Sequence, residues 1–232
     1  MEVNNSKGPE LKKIAVIVAG GAGTRMNNAV PKQFLLLKNK PVLYYTIDTF
    51  LKSYSDMQII LVLPEDHVAA GQEVIDAFFD YSRIKITTGG RTRFHSVQNG
   101  LQLIEKESIV FVHDAVRCLL TTDLIKRCFT AAIEYGSAIP VITSKDSVRL
   151  ITGEDNTAID RACIKLVQTP QTFHSKILLP AFNIDYKDKF TDEATVVEAY
   201  GLKIHLLEGE DDNMKITLPA DIIIAEQLLR LT

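Results

Sequence analysis

Three cations, Arg25, Lys32 and Lys215, stand in three separate segments, the first two close in sequence and the third far along the chain, whose neighbours bear on anion binding. Arg25 follows "AVIVAGGAG" (15–23), where an apolar run ends abruptly in a glycine-rich turn. Gly20, Gly21 and Gly23 let successive backbone N–H groups aim at one anion, and an arginine adds a planar fork of donors suited to phosphate oxygens. An ordinary tight turn accommodates the same glycines, so alone this is a modest signal. The ATP-loop pattern G-x-x-x-x-G-K-[ST] is absent, and the dinucleotide fingerprint G-x-G-x-x-G fails because Met26 holds the third glycine's place.

Other segments sharpen the reading. In "PKQF" (31–34) Lys32 follows Pro31, which restrains the local chain, although an isolated surface lysine is usually just solvated. "GGRTRFHSV" (89–97) is a second glycine turn that ends a strand and opens a helix; a plain strand–helix connection reads the same way. "VHDAVR" (112–117) sets Asp114 at the C-terminal end of a buried strand, where open α/β sheets bind ligands. A helix-capping role for Asp114 stays open. "TDEA" (191–194) fits a helix start, with Thr191 as N-cap and two acids in the first turn. "DDNMKIT" (211–217) reads as extended, with Met214 and Ile216 on one side and Lys215 and Thr217 on the other. Lys215 can then point from an extended segment into a site.

These residues need a scaffold. Apolar, β-branched runs recur at 14–19, 57–63, 84–88, 108–113 and 138–143, mostly without alternation, as in strands buried on both faces of a parallel sheet. Helical patterns lie between them. Phe94, Val97, Leu101 and Ile104 trace one helical face, and 121–135 reads similarly with Thr122 as N-cap. Alternating strands and helices predict an α/β fold with a mostly parallel sheet. After Val141 the alternation loosens, and β-rich pieces split by the polar "TGEDN" predict a hairpin-like excursion. Helices return at 174–182, 192–200 and from about Pro219.

The bulk properties narrow the function class. A chain of 232 residues with 46% hydrophobic and 24% charged residues builds a core without disulfides or metals. A formal net charge of −3 suggests neither a nucleic-acid nor a membrane surface. Cys118, Cys128 and Cys163 are odd in number and fit neither a zinc site nor a redox pair, which points to free thiols in a reducing cytoplasm. No stretch reads as a membrane span.

Taken in order, "AGGAGTRM", "PKQF", "GGRTRFHSV", "VHDAVR", "DRACIKLVQTPQTF", "TDEA" and "EGEDDNMKIT" resemble the 2-C-methyl-D-erythritol 4-phosphate cytidylyltransferase family over nearly the whole chain. The resemblance implies a Rossmann-like nucleotidyltransferase fold, a single domain over 1–232, and an arm at about 142–167 exchanged in a homodimer. It implies that the backbone of Ala19, Gly20, Gly21, Ala22 and Gly23 wraps CTP, that Gly90 and Ser96 read cytosine, and that Asp114 lies near the ribose and the acceptor. It implies Arg25, Lys32 and Lys215 as the catalytic cations on the phosphates. Arg117, Ser147, Arg161, Thr169, Thr191 and Asp192 would surround the sugar phosphate, with Ser147 and Arg161 reaching the partner's site. Cys118 stands where the family usually has proline, a departure that bears on the stiffness of this loop.

The implied reaction is attack of the acceptor phosphate on the α-phosphorus of CTP, with pyrophosphate leaving. A phosphate monoester is already ionised near neutrality, its second pKa being about 6, so fixed positive charge matters more than a general base. Mg²⁺ is expected mainly on the CTP oxygens, with no metal-ligand cluster in the chain. Ribitol-5-phosphate cytidylyltransferases share much of the motif set and are the near alternative. A nucleotide-binding regulatory module without turnover is the distant one, but it has no need of Arg25, Lys32 and Lys215 together.

Overall fold

The computed structural model describes residues 11–20 and 30–231. Strand β1 (Lys12–Val18) is followed by short β2 (Leu36–Leu37) and β3 (Lys40–Pro41), then α1 (Val42–Ser53), β4 (Gln58–Leu63) and α2 (Val68–Phe78). Next come β5 (Ile84–Thr88), α3 (Arg93–Leu101), β6 (Ser108–Asp114), α4 (Thr122–Tyr135) and β7 (Ser137–Thr143). The excursion holds β8 (Val148–Thr152) and β9 (Asp155–Ile159), and β10 (Lys165–Val167) and β11 (Gln171–His174) return to the body. Helices α5 (Ser175–Ala181) and α6 (Glu193–Ala199), β12 (Leu206–Glu208) and α7 (Pro219–Leu231) complete the chain.

The main sheet runs β10-β7-β11-β6-β1-β4-β5, with β12 against β7. Strands β5, β4, β1 and β6 are mutually parallel, and β11 enters antiparallel between β6 and β7. Successive side chains of β1 serve opposite faces. Ile14, Val16 and Val18 pack with Phe94 and Val97 of α3 and with residues of α5 and α6. Ala15 and Ile17 pack with Leu43, Ile47 and Phe50 of α1, Ile75 of α2 and Leu124 of α4. Both faces are covered, which is why these strands read as unbroken apolar runs. Gly100 lets α3 sit tightly on this sheet, since a Cβ there would lie 2.7 Å from Val16 Cγ1 and 3.0 Å from Val62 Cγ2. Ile104 falls beyond the end of α3 yet remains buried.

The chain leaves β1 toward β4 on one side and returns through β6 on the other. The connections therefore diverge at the carboxyl ends of β1 and β6, which opens a crevice there. Two helix starts differ from expectation by one residue. Thr121 rather than Thr122 caps α4, its hydroxyl accepting from Leu124 N–H at 3.0 Å. Asp192 rather than Thr191 caps α6, accepting from Thr195 N–H at 2.9 Å while Thr195 Oγ1 accepts from Asp192 N–H. In both cases the capping residue has extended backbone, which turns its side chain back over the first turn.

The excursion is a two-stranded hairpin, with β8 and β9 paired only to each other. Leu150 and Ile151 on it are 54% and 67% exposed. Residues 211–217 form no strand. Among the described residues no helix is long and apolar enough to cross a membrane.

Candidate functional site

A cavity of about 320 Å³ occupies the crevice at the carboxyl ends of β1 and β6. Ala19 and Gly20 reach it from β1, Lys32 and Gln33 from a short 3₁₀ turn (Lys32–Phe34), and Asp114 and Val116 from the end of β6. Gly90, Arg91, Thr92, Arg93 and Ser96 reach it from the start of α3, and Lys215 from the last extended loop. Of the residues expected from sequence, Ala19, Gly20, Lys32, Gly90, Ser96, Asp114 and Lys215 thus meet at one place.

The turn before α3 is held by Ser96, whose Oγ accepts from Gly90 N–H at 3.0 Å and donates to Thr92 C=O at 3.0 Å. Gly90 has no room for a side chain, because a Cβ would approach His95 Cβ to 2.4 Å. Gln33 is buried and donates to Ala19 C=O at 3.0 Å, so the 3₁₀ turn carrying Lys32 is tied to the end of β1. The loop carrying Lys215 is fastened on both sides of that residue. Asn213 Nδ2 donates to Thr169 C=O at 2.8 Å, and Ile216 N–H donates to Val116 C=O at 2.9 Å. With Ile216 turned inward, Lys215 faces the cavity.

Asp114 is the electrostatic hub. Its Oδ2 accepts from Lys215 Nζ at 2.9 Å, and its Oδ1 accepts from Arg93 Nε at 3.3 Å. Arg117 Nε lies 3.7 Å from Oδ2. Burial alone would raise the Asp114 pKa, but Arg93, Lys215 and Arg117 outweigh it and hold the carboxyl well below the usual range. The capping reading of Asp114 gives way to this one, since its side chain is committed to cations. Behind Arg93 stands Glu193, which receives both Nη1–H and Nη2–H of the guanidinium, the latter at 3.2 Å. Burial pulls the Arg93 pKa down, and the carboxylates of Glu193 and Asp114 more than restore it, so the guanidinium stays charged.

Beneath the cavity a neutral relay supports Asp114. Asp114 N–H donates to Thr169 Oγ1 at 3.1 Å, and Thr169 Oγ1 meets His113 Nδ1 at 3.0 Å. His113 Nε2 meets Arg117 C=O at 3.1 Å, which assigns the proton to Nε2 and leaves Nδ1 as acceptor of the threonine hydroxyl. Thr169 is therefore a buried support and does not line the cavity. Arg117 likewise turns from it, donating to Asn213 C=O at 2.8 Å.

The remaining expected residues stand elsewhere. Asp192 caps α6 and accepts from Gln171 Nε2 at 2.9 Å, with Thr191 exposed beside it. Arg161 donates to Lys145 C=O at 2.8 Å near the base of the hairpin, and Ser147 is exposed just before β8. Gly21, Ala22, Gly23 and Arg25 lie outside the described residues. Sequence reasoning passed over Gln33, Arg93, Glu193 and Asn213. Arg93 was the most accessible of these, since it opens a helix directly after a threonine N-cap and a glycine turn. Cys118 packs with Leu37, Val42, Ile216 and Ala225, where burial pushes its thiol up to about 12 and it serves as a small apolar residue. No group of three His, Cys, Asp or Glu side chains converges among the described residues.

Comparison with known proteins adds to this geometry. The family model described as IspD, 2-C-methyl-D-erythritol 4-phosphate cytidylyltransferase, matches residues 13–231. A protein of that name from Bacteroides thetaiotaomicron is 41% identical over 219 residues, covering 94% of this chain and 100% of the relative. One from Bacteroides fragilis is 43% identical over 218 residues, covering 94% and 99%. The crystal structure of 4-diphosphocytidyl-2C-methyl-D-erythritol synthase from Anaerococcus prevotii superposes with a TM-score of 0.81 at 26% identity, covering 95% of this chain and 99% of that one.

Proposed function

The chain belongs to the 2-C-methyl-D-erythritol 4-phosphate cytidylyltransferase family, and from that premise we propose how its crevice works. It transfers the cytidylyl group of CTP to 2-C-methyl-D-erythritol 4-phosphate, releasing pyrophosphate. The carrying observation is the convergence of Lys32, Lys215 and Asp114 with the bare backbone of Ala19 and Gly20 on one cavity at the sheet's switch point.

The acceptor phosphate attacks the α-phosphorus in line and arrives already ionised. The obstacle is repulsion between two phosphate groups as a third cluster of charge departs. Lys32, Lys215 and, from the glycine loop, Arg25 supply the positive charge, and fixing it in advance removes the cost of reorganisation during the reaction. Lys215 is held at the edge of the cavity by Asp114. Gly90 and Ser96 face the base. Among the described residues the one carboxylate lining the cavity, Asp114, is already engaged by cations, so Mg²⁺ would be held mainly by the nucleotide and would supply further positive charge at the phosphates.

Of the residues assigned to the sugar phosphate, Arg117 and Thr169 act as supports behind Asp114 rather than as cavity lining, Thr191 and Asp192 belong to the start of α6, and Ser147 and Arg161 come from a second chain. The exposed apolar residues of the hairpin, and the position of Ser147 and Arg161 away from the cavity lining, support a homodimer that exchanges this arm. Three free cysteines suit a reducing cytoplasm. The deciding experiment measures pyrophosphate release from CTP and Mg²⁺ with subsaturating 2-C-methyl-D-erythritol 4-phosphate or ribitol 5-phosphate. A higher kcat/KM with the first is expected. Preference for ribitol 5-phosphate moves the acceptor assignment, and turnover with neither overturns the reading.

A further inference from the structure

We propose that Glu193 and Arg93 are a positioning pair that fixes the Asp114–Lys215 ion pair for catalysis, an inference that rests on the cytidylyl-transfer reading above. Glu193 opens α6 and its side chain is 1% exposed. Its hydrogen-bond partner is Arg93, a residue 100 positions away that lines the cavity. A carboxylate withdrawn this far from water is costly unless paired. Glu193 itself does not line the cavity, so it acts through Arg93.

The guanidinium is gripped from two sides. Nη1 and Nη2 face the two oxygens of Glu193, while Nε and Nη2 both lie 3.3 Å from Asp114 Oδ1. This planar fork determines where Oδ1 of Asp114 sits, and Lys215 Nζ is referenced to Oδ2 of the same carboxylate. A chain of charged contacts thus runs from α6 through α3 to the tip of β6 and on to the lysine. Glu193 also restrains Arg93 from swinging onto the nearest phosphate, which would release Asp114 and let Lys215 move. Arg93→Lys keeps the charge and loses the fork.

The test uses full-length enzyme shown to release pyrophosphate, so an inactive wild type strikes the parent reading and leaves the pair out of account. Glu193→Gln keeps the shape and removes the charge. Its kcat is expected to fall about 10- to 100-fold, the scale of a small misplacement of reacting groups, while KM for CTP changes less than about threefold. Arg93→Lys is expected to show the same split. Adding Glu193→Gln to Arg93→Gln is expected to cost nothing further in kcat, because the glutamate works through the arginine. Asp56→Asn is the stability control. It removes one charged partner, at 2.8 Å, of buried Lys13 at the opposite end of β1, and is expected to lower Tm with kcat per folded enzyme unchanged. Wild-type kcat in folded Glu193→Gln or Arg93→Lys, or losses that multiply in the double variant, would overturn the pairing. Should Glu193→Gln fail to fold, Arg93→Lys and Arg93→Gln compared with wild type still decide, since wild-type kcat in either refutes it.

Discussion

His113 makes the stability of the site depend on pH in a direction the structure dictates. It is fully buried at the end of β6, edge-on to the Phe50 ring at 5.3 Å. Burial pushes its pKa from 6.5 down to about 3, against the pull of Asp114. The folded protein thus keeps a neutral imidazole where the unfolded chain binds a proton below about pH 6.5. With the unfolded state holding the extra proton, stability rises with pH at about 1.4 kcal/mol per unit across that window, and falls on acidification. From well above the transition down to about pH 5, His113 alone costs about 2 kcal/mol. Asp114 has a depressed pKa, so its contribution is retained above the unfolded carboxylate range and lost only at lower pH. Glu193, raised by burial, works in the opposite sense, so the measurement must be a difference between two proteins. His113→Gln offers a neutral donor and acceptor in its place. Urea unfolding followed by circular dichroism, at steps from about pH 7.5 to pH 5, gives both stability curves. The wild type is expected to lose about 2 kcal/mol more than the variant over this range. Parallel curves would refute the claim that a neutral, buried His113 underlies the cavity.

Replacing Lys32, Lys215 or Arg25 by Ala is expected to lower kcat about 10²- to 10³-fold, the scale for loss of a fixed group that stabilises developing charge. Steady-state pyrophosphate release checks this, and wild-type turnover in any two variants removes the catalytic role from those residues. Mixing Arg161→Ala subunits with Lys32→Ala subunits is expected to restore part of the activity, because one hybrid site carries neither lesion. Mixtures as inactive as both parents, in samples shown to exchange subunits, would refute donation across the dimer.

Much of the fold was legible because its strands are covered on both faces. Ile14 to Val18 has no polar side to display, so it reads as a parallel-sheet strand from the sequence alone. The hairpin was legible for the opposite reason, since polar residues interrupt it and, among the described residues, its strands pair only with each other. The helix caps were less so. A threonine follows Thr121 and an aspartate follows Thr191, and only backbone geometry decides which member of each pair turns back over the helix.

The cavity residues divide along the same line. Lys32, Asp114 and Lys215 stand in short segments whose local pattern makes them candidates, namely a proline-restrained turn, a strand tip and an alternating extended loop, although a solvated lysine and a capping aspartate fit the same patterns. Arg93 opens a helix after a glycine turn, but that pattern does not name its partners, and the contact between Arg93 and Glu193 spans 100 positions that no local pattern connects. "TDEA" gave its glutamate an ordinary reason to exist, as an acid in a first helical turn, and that reason hid the second one. The pairing also resolves a tension in the site's charge. Lys32, Arg91, Arg93 and Lys215 line the cavity with a single carboxylate, Asp114. Four cations around one acid favour a triphosphate, but an unrestrained arginine among them would compete with Lys215 for the same oxygens. Placing a second carboxylate behind Arg93, outside the cavity lining, keeps that arginine on Asp114 and leaves Lys215 as the positioned point charge. The two acids therefore do different work: one orients the lysine, and the other prevents the arginine from taking its place.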